Sequence, residues 1–222
     1  MPWLRSRTNG TPSRRSDLTA HSTPTLDTAR LRLRALTQKD SPFVYRLLSD
    51  PEVREFLGGP VPKDRHEHVF ASYLSQGPGG SVWLVEARET AAPVGLVFLA
   101  PYHDPEDTTG PLELSYLFDP ASWGQGHAGE ALRAVLEQAR RSHKSAPRIV
   151  AETRAANRRS RRLLIRLGFA PVRRYRRFGS MQVLYSASLR RAGRSPLWPG
   201  ARVAIYLQSL GLPKRGGQNR ER

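Results

Sequence analysis

Two periods govern the apolar positions of this chain, and the switch between them marks out its elements. Near the beginning, Leu31, Leu33 and Ala35 alternate with Arg32 and Arg34, which predicts a half-buried strand over 31–36. Asp40 is placed to cap a helix with Pro42 in its first turn and Val44, Leu47 and Leu48 on one face, ending before Asp50-Pro51. A short helical turn is expected over 52–56, then a break at Gly58-Gly59-Pro60. A further helix over 65–75 groups Val69, Phe70, Tyr73 and Leu74 at three- and four-residue spacing. Three strand-like runs follow at 81–87, 94–102 and 112–118, and read as an antiparallel meander. The helical period returns over 124–142, where Ala128, Ala131, Leu132, Val135, Leu136 and Ala139 share one face. A strand over 148–153, a helix over 158–167 stopped by Gly168, and strands over 170–178 and 181–189 turned at Gly179-Ser180 complete the pattern.

Both ends lack this order. Residues 1–25 are rich in Ser, Thr, Pro and Arg and read as a disordered basic lead. Residues 191–222 form a basic extension rich in Gly and Pro, with an apolar stretch at 203–212 that suits a short helix. One domain over 26–190 is therefore expected in the 222-residue chain. The absence of cysteine excludes disulfides, thiolate zinc sites and cysteine nucleophiles, and fits a reducing compartment. With no secretory leader and no apolar run of about 18 residues, a cytoplasmic protein without membrane contact is the expectation.

The net charge of +17 is unevenly spread. Between Arg140 and Arg177 stand thirteen arginines and one lysine against a single acid, Glu152, whereas the stretch from Asp40 to Glu137 is acidic on balance. The basic half suits a polyanion, whether a nucleic acid, a ribosome, an acidic membrane or a phosphate-bearing ligand, and equally an arginine-rich solvated surface; charge alone does not choose.

Candidate chemistry centres on residues 112–138, an apolar strand and a turn at Asp119-Pro120 followed by Trp123-Gly124-Gln125-Gly126-His127-Ala128 opening a helix. Glycines before a helix let the backbone approach a ligand, and the unpaired N–H groups of the first turn attract negative charge, as a pyrophosphate cradle requires. A tight strand-to-helix connection would look the same. The turn lacks the lysine and Ser/Thr of a Walker A loop and the order of a dinucleotide-binding loop, so neither reading follows. His66 and His68 lie two apart, on different helix faces, and no metal site is expected.

The segment WGQGHAGEAL, from Trp123 to Leu132, resembles the acetyl-CoA motif R/Q-x-x-G-x-G/A of GNAT acetyltransferases, in the RimJ/RimL-like branch where the first position is often Trp. ETRAANRRSRRLLIRLGF, from Glu152 to Phe169, is similar to that branch's second motif, and LDTARLRLRAL, from Leu26 to Leu36, to its usual opening. The resemblance implies an α+β, α/β/α layered fold, the GNAT acyl-CoA N-acyltransferase fold, with a mixed, mostly antiparallel central sheet flanked by helices. It implies acetyl-CoA as co-substrate, no metal, and a monomer or homodimer. Carried over by position, the backbone of Gln125, Gly126, His127, Ala128 and Gly129 would hold the diphosphate and Gly124 would permit the turn. Free main-chain groups near Leu117 and Phe118 would pair with the pantetheine arm and polarise the thioester carbonyl, and Asn157 would bond the arm or the amine. Glu113 would act as general base and Ser160 would donate to the leaving sulfur, because Leu164 stands where the superfamily often has a tyrosine.

For Glu113 the plain alternative is an exposed strand carboxylate, for Ser160 a serine bonding its own helix, and for Asn157 a helix cap. Arg158, Arg159, Arg161 and Arg162 could reach the 3'-phosphate of the cofactor or form a solvated helix face. Tyr116, Trp83 and Trp123 are expected in the core or the cleft wall. The acceptor would be an amine: a protein N-terminus, as the branch implies, or a small molecule such as an aminoglycoside or polyamine, which the basic half would repel but the acidic half could receive. A binding module for nucleic acid or the ribosome, built on the same scaffold through the arginine-rich half, is the reading from another class.

Overall fold

The computed structural model describes residues 23–75, 79–102, 110–143 and 145–189. Most of the basic lead, and the C-terminal extension with its 203–212 stretch, lie outside the described residues. The strands are β1 (Leu26–Asp27), β2 (Leu31–Ala35), β3 (Ser81–Ala87), β4 (Pro93–Pro101), β5 (Leu112–Phe118), β6 (Arg148–Arg154), β7 (Ala170–Arg177) and β8 (Ser180–Ser188). The helices are α1 (Ser41–Ser49), α2 (Pro51–Arg54), α3 (His66–Leu74), α4 (His127–Ser142) and α5 (Arg158–Arg166). The strands form one sheet in the order β1-β2-β3-β4-β5-β6-β8-β7, antiparallel throughout except between β5 and β6.

Alternation along the strands splits the core into two layers. Trp83, Val85, Val97, Leu99, Leu112 and Leu114 face Leu132, Val135 and Leu136 of α4 and Leu164 of α5. Their neighbours Val82, Leu84, Leu96, Phe98 and Leu117 face Val44, Leu47, Val69, Phe70 and Tyr73 of α1 and α3. The expected helix–sheet–helix layering follows. Strands buried on both faces read as nearly continuous apolar runs, as Val94 to Ala100 does.

One pairing breaks down. β5 and β6 are in register only at Leu112↔Ile149 and Glu113↔Val150, after which the two strands part. The main-chain groups of odd-numbered residues in β5 turn toward β4, as the bonds Tyr102 N–H to Pro111 O and Asp119 N–H to Val94 O at either end show. Those of Tyr116 and Phe118 therefore point into the opening beyond the last pair, and those of Leu117 do not.

Several local expectations shift. Asp40 precedes α1 but does not cap it: its carboxylate accepts from the Thr37 N–H at 2.7 Å and pairs with Arg34 at 2.8 Å, closing a 3-10 turn over Gln38–Asp40. Asp50 caps α2 instead, accepting from Glu52 N–H and Val53 N–H. The last hairpin turns on Phe178 and Gly179, both at positive φ, and Ser180 already belongs to β8. The two-residue β1 pairs with β2 at Leu26↔Leu33 and went unpredicted.

Candidate active site

The turn before α4 is built from two left-handed glycines, Gly124 at φ 77° and Gly126 at φ 81°. Gly126 takes the N-cap position, so α4 starts at His127 rather than near 124. The first helical bond runs from Glu130 N–H to Gly126 O at 3.1 Å, leaving the N–H groups of His127, Ala128 and Gly129 without helical partners. A Cβ on Gly126 would stand 3.3 Å from Arg30 Nη2, so the turn is close-packed from outside.

Arg30 and Glu130 brace that turn. The Arg30 guanidinium donates to Gln125 O at 3.0 Å and to Glu130 Oε2 at 2.8 Å, while Thr28 Oγ1 donates to Glu130 Oε1 at 2.6 Å. Burial opposes ionisation of Glu130, but the bonds from Thr28 and Arg30 outweigh it and hold the carboxyl at about 2. The opening motif and the helix-start motif, about a hundred residues apart in sequence, thus meet in one bonded cluster.

A cavity of about 980 Å³ joins this turn to the strand opening. It is lined from the α4–α5 side by Gly126, His127, Asn157 and Ser160, and from the α1–α3 side by Val53, Phe56, Leu57 and Phe98. Because its walls belong to both layers, it passes through the sheet where β5 and β6 separate. Glu113, Leu117, Phe118, Gly124, Ala128 and Gly129 also line it; Gln125 does not, since its amide donates to Ala121 O and its carbonyl accepts from Arg30.

Glu113 is 7% exposed, on the face of β5 opposite Leu112 and Leu114. Burial, then repulsion by Glu152, raises its carboxyl to about 7 against the weaker attraction of Arg177. The Tyr116 hydroxyl lies 2.8 Å from Ser160 Oγ, across the opening on the cofactor-turn side, and burial pushes it up to about 12, so it stays protonated. Asn157 Oδ1 accepts from Ser160 N–H at 3.0 Å and caps α5, which leaves its amide N–H groups for other partners. The Phe118 carbonyl accepts the Trp123 indole N–H at 2.9 Å, which leaves the Phe118 N–H, not its carbonyl, for a ligand. Leu164 is fully buried beneath.

The arginine run divides. Arg158, Arg159, Arg162 and Arg166 line the cavity, with Arg159 stacked 4.6 Å from the Trp123 ring. Arg161 turns away, bonding Tyr185 Oη at 3.1 Å and Ala155 O at 3.0 Å. Two residues to which the resemblance assigned no role also matter here. Tyr116 faces Ser160, and Glu152, the lone acid of the arginine-rich stretch, lines the cavity two residues beyond the last β5–β6 pair. That single acid among arginines was the signal in the sequence.

Such an arrangement can bind phosphates at one end, present N–H groups to a carbonyl in the middle, and accept a proton at the other. Among the described residues no group of His, Asp or Glu could hold a metal ion, and no helix is long and apolar enough to cross a membrane.

The model of the acetyltransferase (GNAT) domain family matches residues 30–170. The uncharacterized protein YkkB of Bacillus subtilis is 31% identical over 116 residues, covering 50% of this chain and 66% of that protein. The FsC-acetyl coenzyme A-N(2)-transacetylase of Aspergillus fumigatus is 30% identical over 164 residues, covering 70% of this chain and 68% of that protein. Among solved structures, a GNAT acetyltransferase from Bacillus anthracis superposes with a TM-score of 0.65 at 18% identity, over 75% of this chain and 99% of that one. The spermidine N-acetyltransferase of Vibrio cholerae, in complex with CoA and spermine, gives 0.62 at 16% identity, over 73% and 97%. RimL, a ribosomal L7/L12 α-N-protein acetyltransferase in complex with CoA, gives 0.61 at 17%, over 74% and 98%.

Proposed function

Because the chain belongs to the GNAT family of acetyltransferases, we propose that it transfers the acetyl group of acetyl-CoA to a primary amine, by direct attack in a ternary complex. The observation that carries this reading is the cavity through the sheet, which puts the glycine turn, the strand opening and Glu113 on one continuous surface. The fit to the cofactor rests on the N–H groups of His127 to Gly129 at the turn and on the four arginines of α5 beside it.

In this reading the first turn of α4 holds the diphosphate and Arg158, Arg159 or Arg162 its remaining phosphate. The N–H groups of Tyr116 and Phe118 face the opening and donate to the thioester carbonyl as negative charge develops there. Glu113 takes a proton from the acceptor ammonium, leaving the neutral amine to attack the carbonyl carbon. When the C–S bond breaks, the Ser160 hydroxyl, oriented by Tyr116, donates a hydrogen bond to the departing sulfur, and the proton shed by the new amide nitrogen balances the free thiol. Atoms are conserved as amine plus thioester giving amide plus thiol.

The RimJ/RimL-like motifs and the likeness to RimL support the α-amino group of a protein N-terminus as acceptor. A small cationic amine is the second reading, favoured by the glutamates that line the acceptor side, Glu52, Glu55, Glu113 and Glu152. Release of free thiol from acetyl-CoA across a panel of amines and N-terminal peptides tests the reading. Turnover that depends on an added amine is expected, and cofactor binding with no turnover on any amine would contradict it.

A further inference from the structure

Beyond its repulsion of Glu113, Glu152 has no part in the chemistry above, yet it is costly where it stands. Its side chain is 4% exposed, neither carboxylate oxygen accepts a hydrogen bond, and its ion pair with Arg177 is loose at 3.6 Å. Burial raises its pKa against the opposing influence of Tyr175 and Arg177. A buried carboxylate held only by a loose ion pair and the neighbouring Tyr175 hydroxyl is unfavourable unless a ligand supplies further donors. On β6, Ala151 faces α4, so Glu152 faces the other side of the sheet, as Glu113 does on β5. The cavity between them and the α2 region continues along an apolar wall, Val53, Phe56, Leu57 and Phe98, and reaches Glu52 and Glu55, both exposed. Arg54 holds this wall in place by donating to the carbonyls of Leu57 and Gly59 at 3.1 and 2.9 Å.

The cavity is thus polarised from end to end. Arginines of α5 stand on the phosphate-binding side; on the acceptor side there are two buried and two exposed glutamates with hydrocarbon between them. Resting on the acetyltransferase reading, we propose that Glu152 is the acceptor-recognition residue, and that with Glu113 and the outer pair Glu52 and Glu55 it selects a linear amine with ammonium groups at both ends of a methylene chain. The wall favours such a chain over a peptide, because a peptide's amides would lose water against Val53, Phe56 and Leu57 without gaining hydrogen bonds. One ammonium donates hydrogen bonds to Glu113 and Glu152 and loses a single proton, to Glu113, before attack; the chain covers the apolar wall, and the second ammonium meets Glu52 and Glu55. The arginines of α5 stand on the phosphate-binding side of the cavity, away from this ligand, while Arg177, 3.6 Å from Glu152, shares the acceptor side.

The test compares 1,4-diaminobutane with n-butylamine, using the full chain and acetyl-CoA with thiol release as the readout, and with cofactor binding measured separately by calorimetry. In the wild type, kcat/KM for the diamine should exceed that for the monoamine at least about tenfold. In the double variant Glu52→Gln, Glu55→Gln, which alters only exposed side chains, the ratio should fall toward one. Glu152→Gln should raise KM for the diamine at least about tenfold with a much smaller change in kcat, and Glu152→Asp should recover part of it. Equal kcat/KM for the two amines in the wild type would overturn the proposal, as would a peptide with uncharged side chains outperforming the diamine, while leaving the acetyltransferase reading intact. Failure to bind acetyl-CoA, or bound cofactor with no turnover on any amine, would overturn both.

Discussion

Replacing Glu113 by Gln should make the protein more stable at alkaline pH while lowering turnover, and the size of the stability gain follows from the burial of that carboxyl. In the folded state its pKa is about 7, against an ordinary value of 4.5. Below pH 4.5 the group is protonated whether the chain is folded or not, and it has no linkage effect. Between 4.5 and 7 the unfolded chain ionises first, so stability falls as pH rises; above 7 the full cost is present. At about 1.4 kcal/mol per pKa unit, that cost is on the order of 3 kcal/mol. Glutamine keeps the shape and carries no charge, so the variant should match the wild type near pH 4.5 and melt roughly 6–12 °C higher at pH 8, given ~2–4 °C per kcal/mol for a domain of this size. Thermal denaturation of both proteins at a series of pH values reads this directly. Turnover should move the other way: wild-type kcat/KM should rise with pH through about 7 as Glu113 becomes able to accept a proton, and the variant should lose that limb. A stability difference independent of pH, or a variant that keeps the rise in activity near pH 7, would refute the assignment of Glu113 as a buried, titrating base.

Three further outcomes are expected. Gly126→Val puts a branched side chain at φ 81° and 3.3 Å from Arg30, so acetyl-CoA affinity measured by calorimetry should fall at least about tenfold, beyond a backbone strain of about 1–2 kcal/mol. Tyr116→Phe and Ser160→Ala should each lower kcat by about tenfold with little change in KM for acetyl-CoA. Since the tyrosine acts through the serine at 2.8 Å, initial rates of the double variant should be no worse than those of Ser160→Ala. Gly95→Ala sets a Cβ 2.5 Å from the Phe118 ring and 2.7 Å from Leu117 O, so a stability loss of about 1–3 kcal/mol from overpacking is expected in denaturant unfolding, with weakened cofactor binding because Phe118 lines the cavity.

Much of the fold could be read from local pattern. The period-2 run of Leu31–Ala35, the continuous apolar run within Ser81–Ala87 and the apolar face of α4 are decided by residues close in sequence, and each of these elements lies within a few positions of its expected place. What escaped depends on pairing between distant segments. The opening between β5 and β6, which the family resemblance implied through free groups near Leu117 and Phe118, arises from a register that stops at Glu113↔Val150, and no feature within either strand announces it by itself. For the same reason the sequence pointed to free groups near Leu117 and Phe118, while alternation against β4 gives those groups to Tyr116 and Phe118. Asp40 looked like a cap because its neighbours suit one; Arg34, across the turn, takes its carboxylate instead. Tyr116 looks unremarkable in its strand and Glu152 stands out only as the one acid among arginines; their meaning comes from what lies opposite, Ser160 for one and the glutamate-lined cavity for the other.

A crystal structure of the full chain with CoA would examine the central claim most directly. The diphosphate should lie within hydrogen-bond distance of the N–H groups of His127, Ala128 and Gly129, and the thiol should sit between β5 and β6 beside Ser160. A cofactor bound elsewhere, or an opening closed by side chains with the diphosphate away from the start of α4, would contradict it.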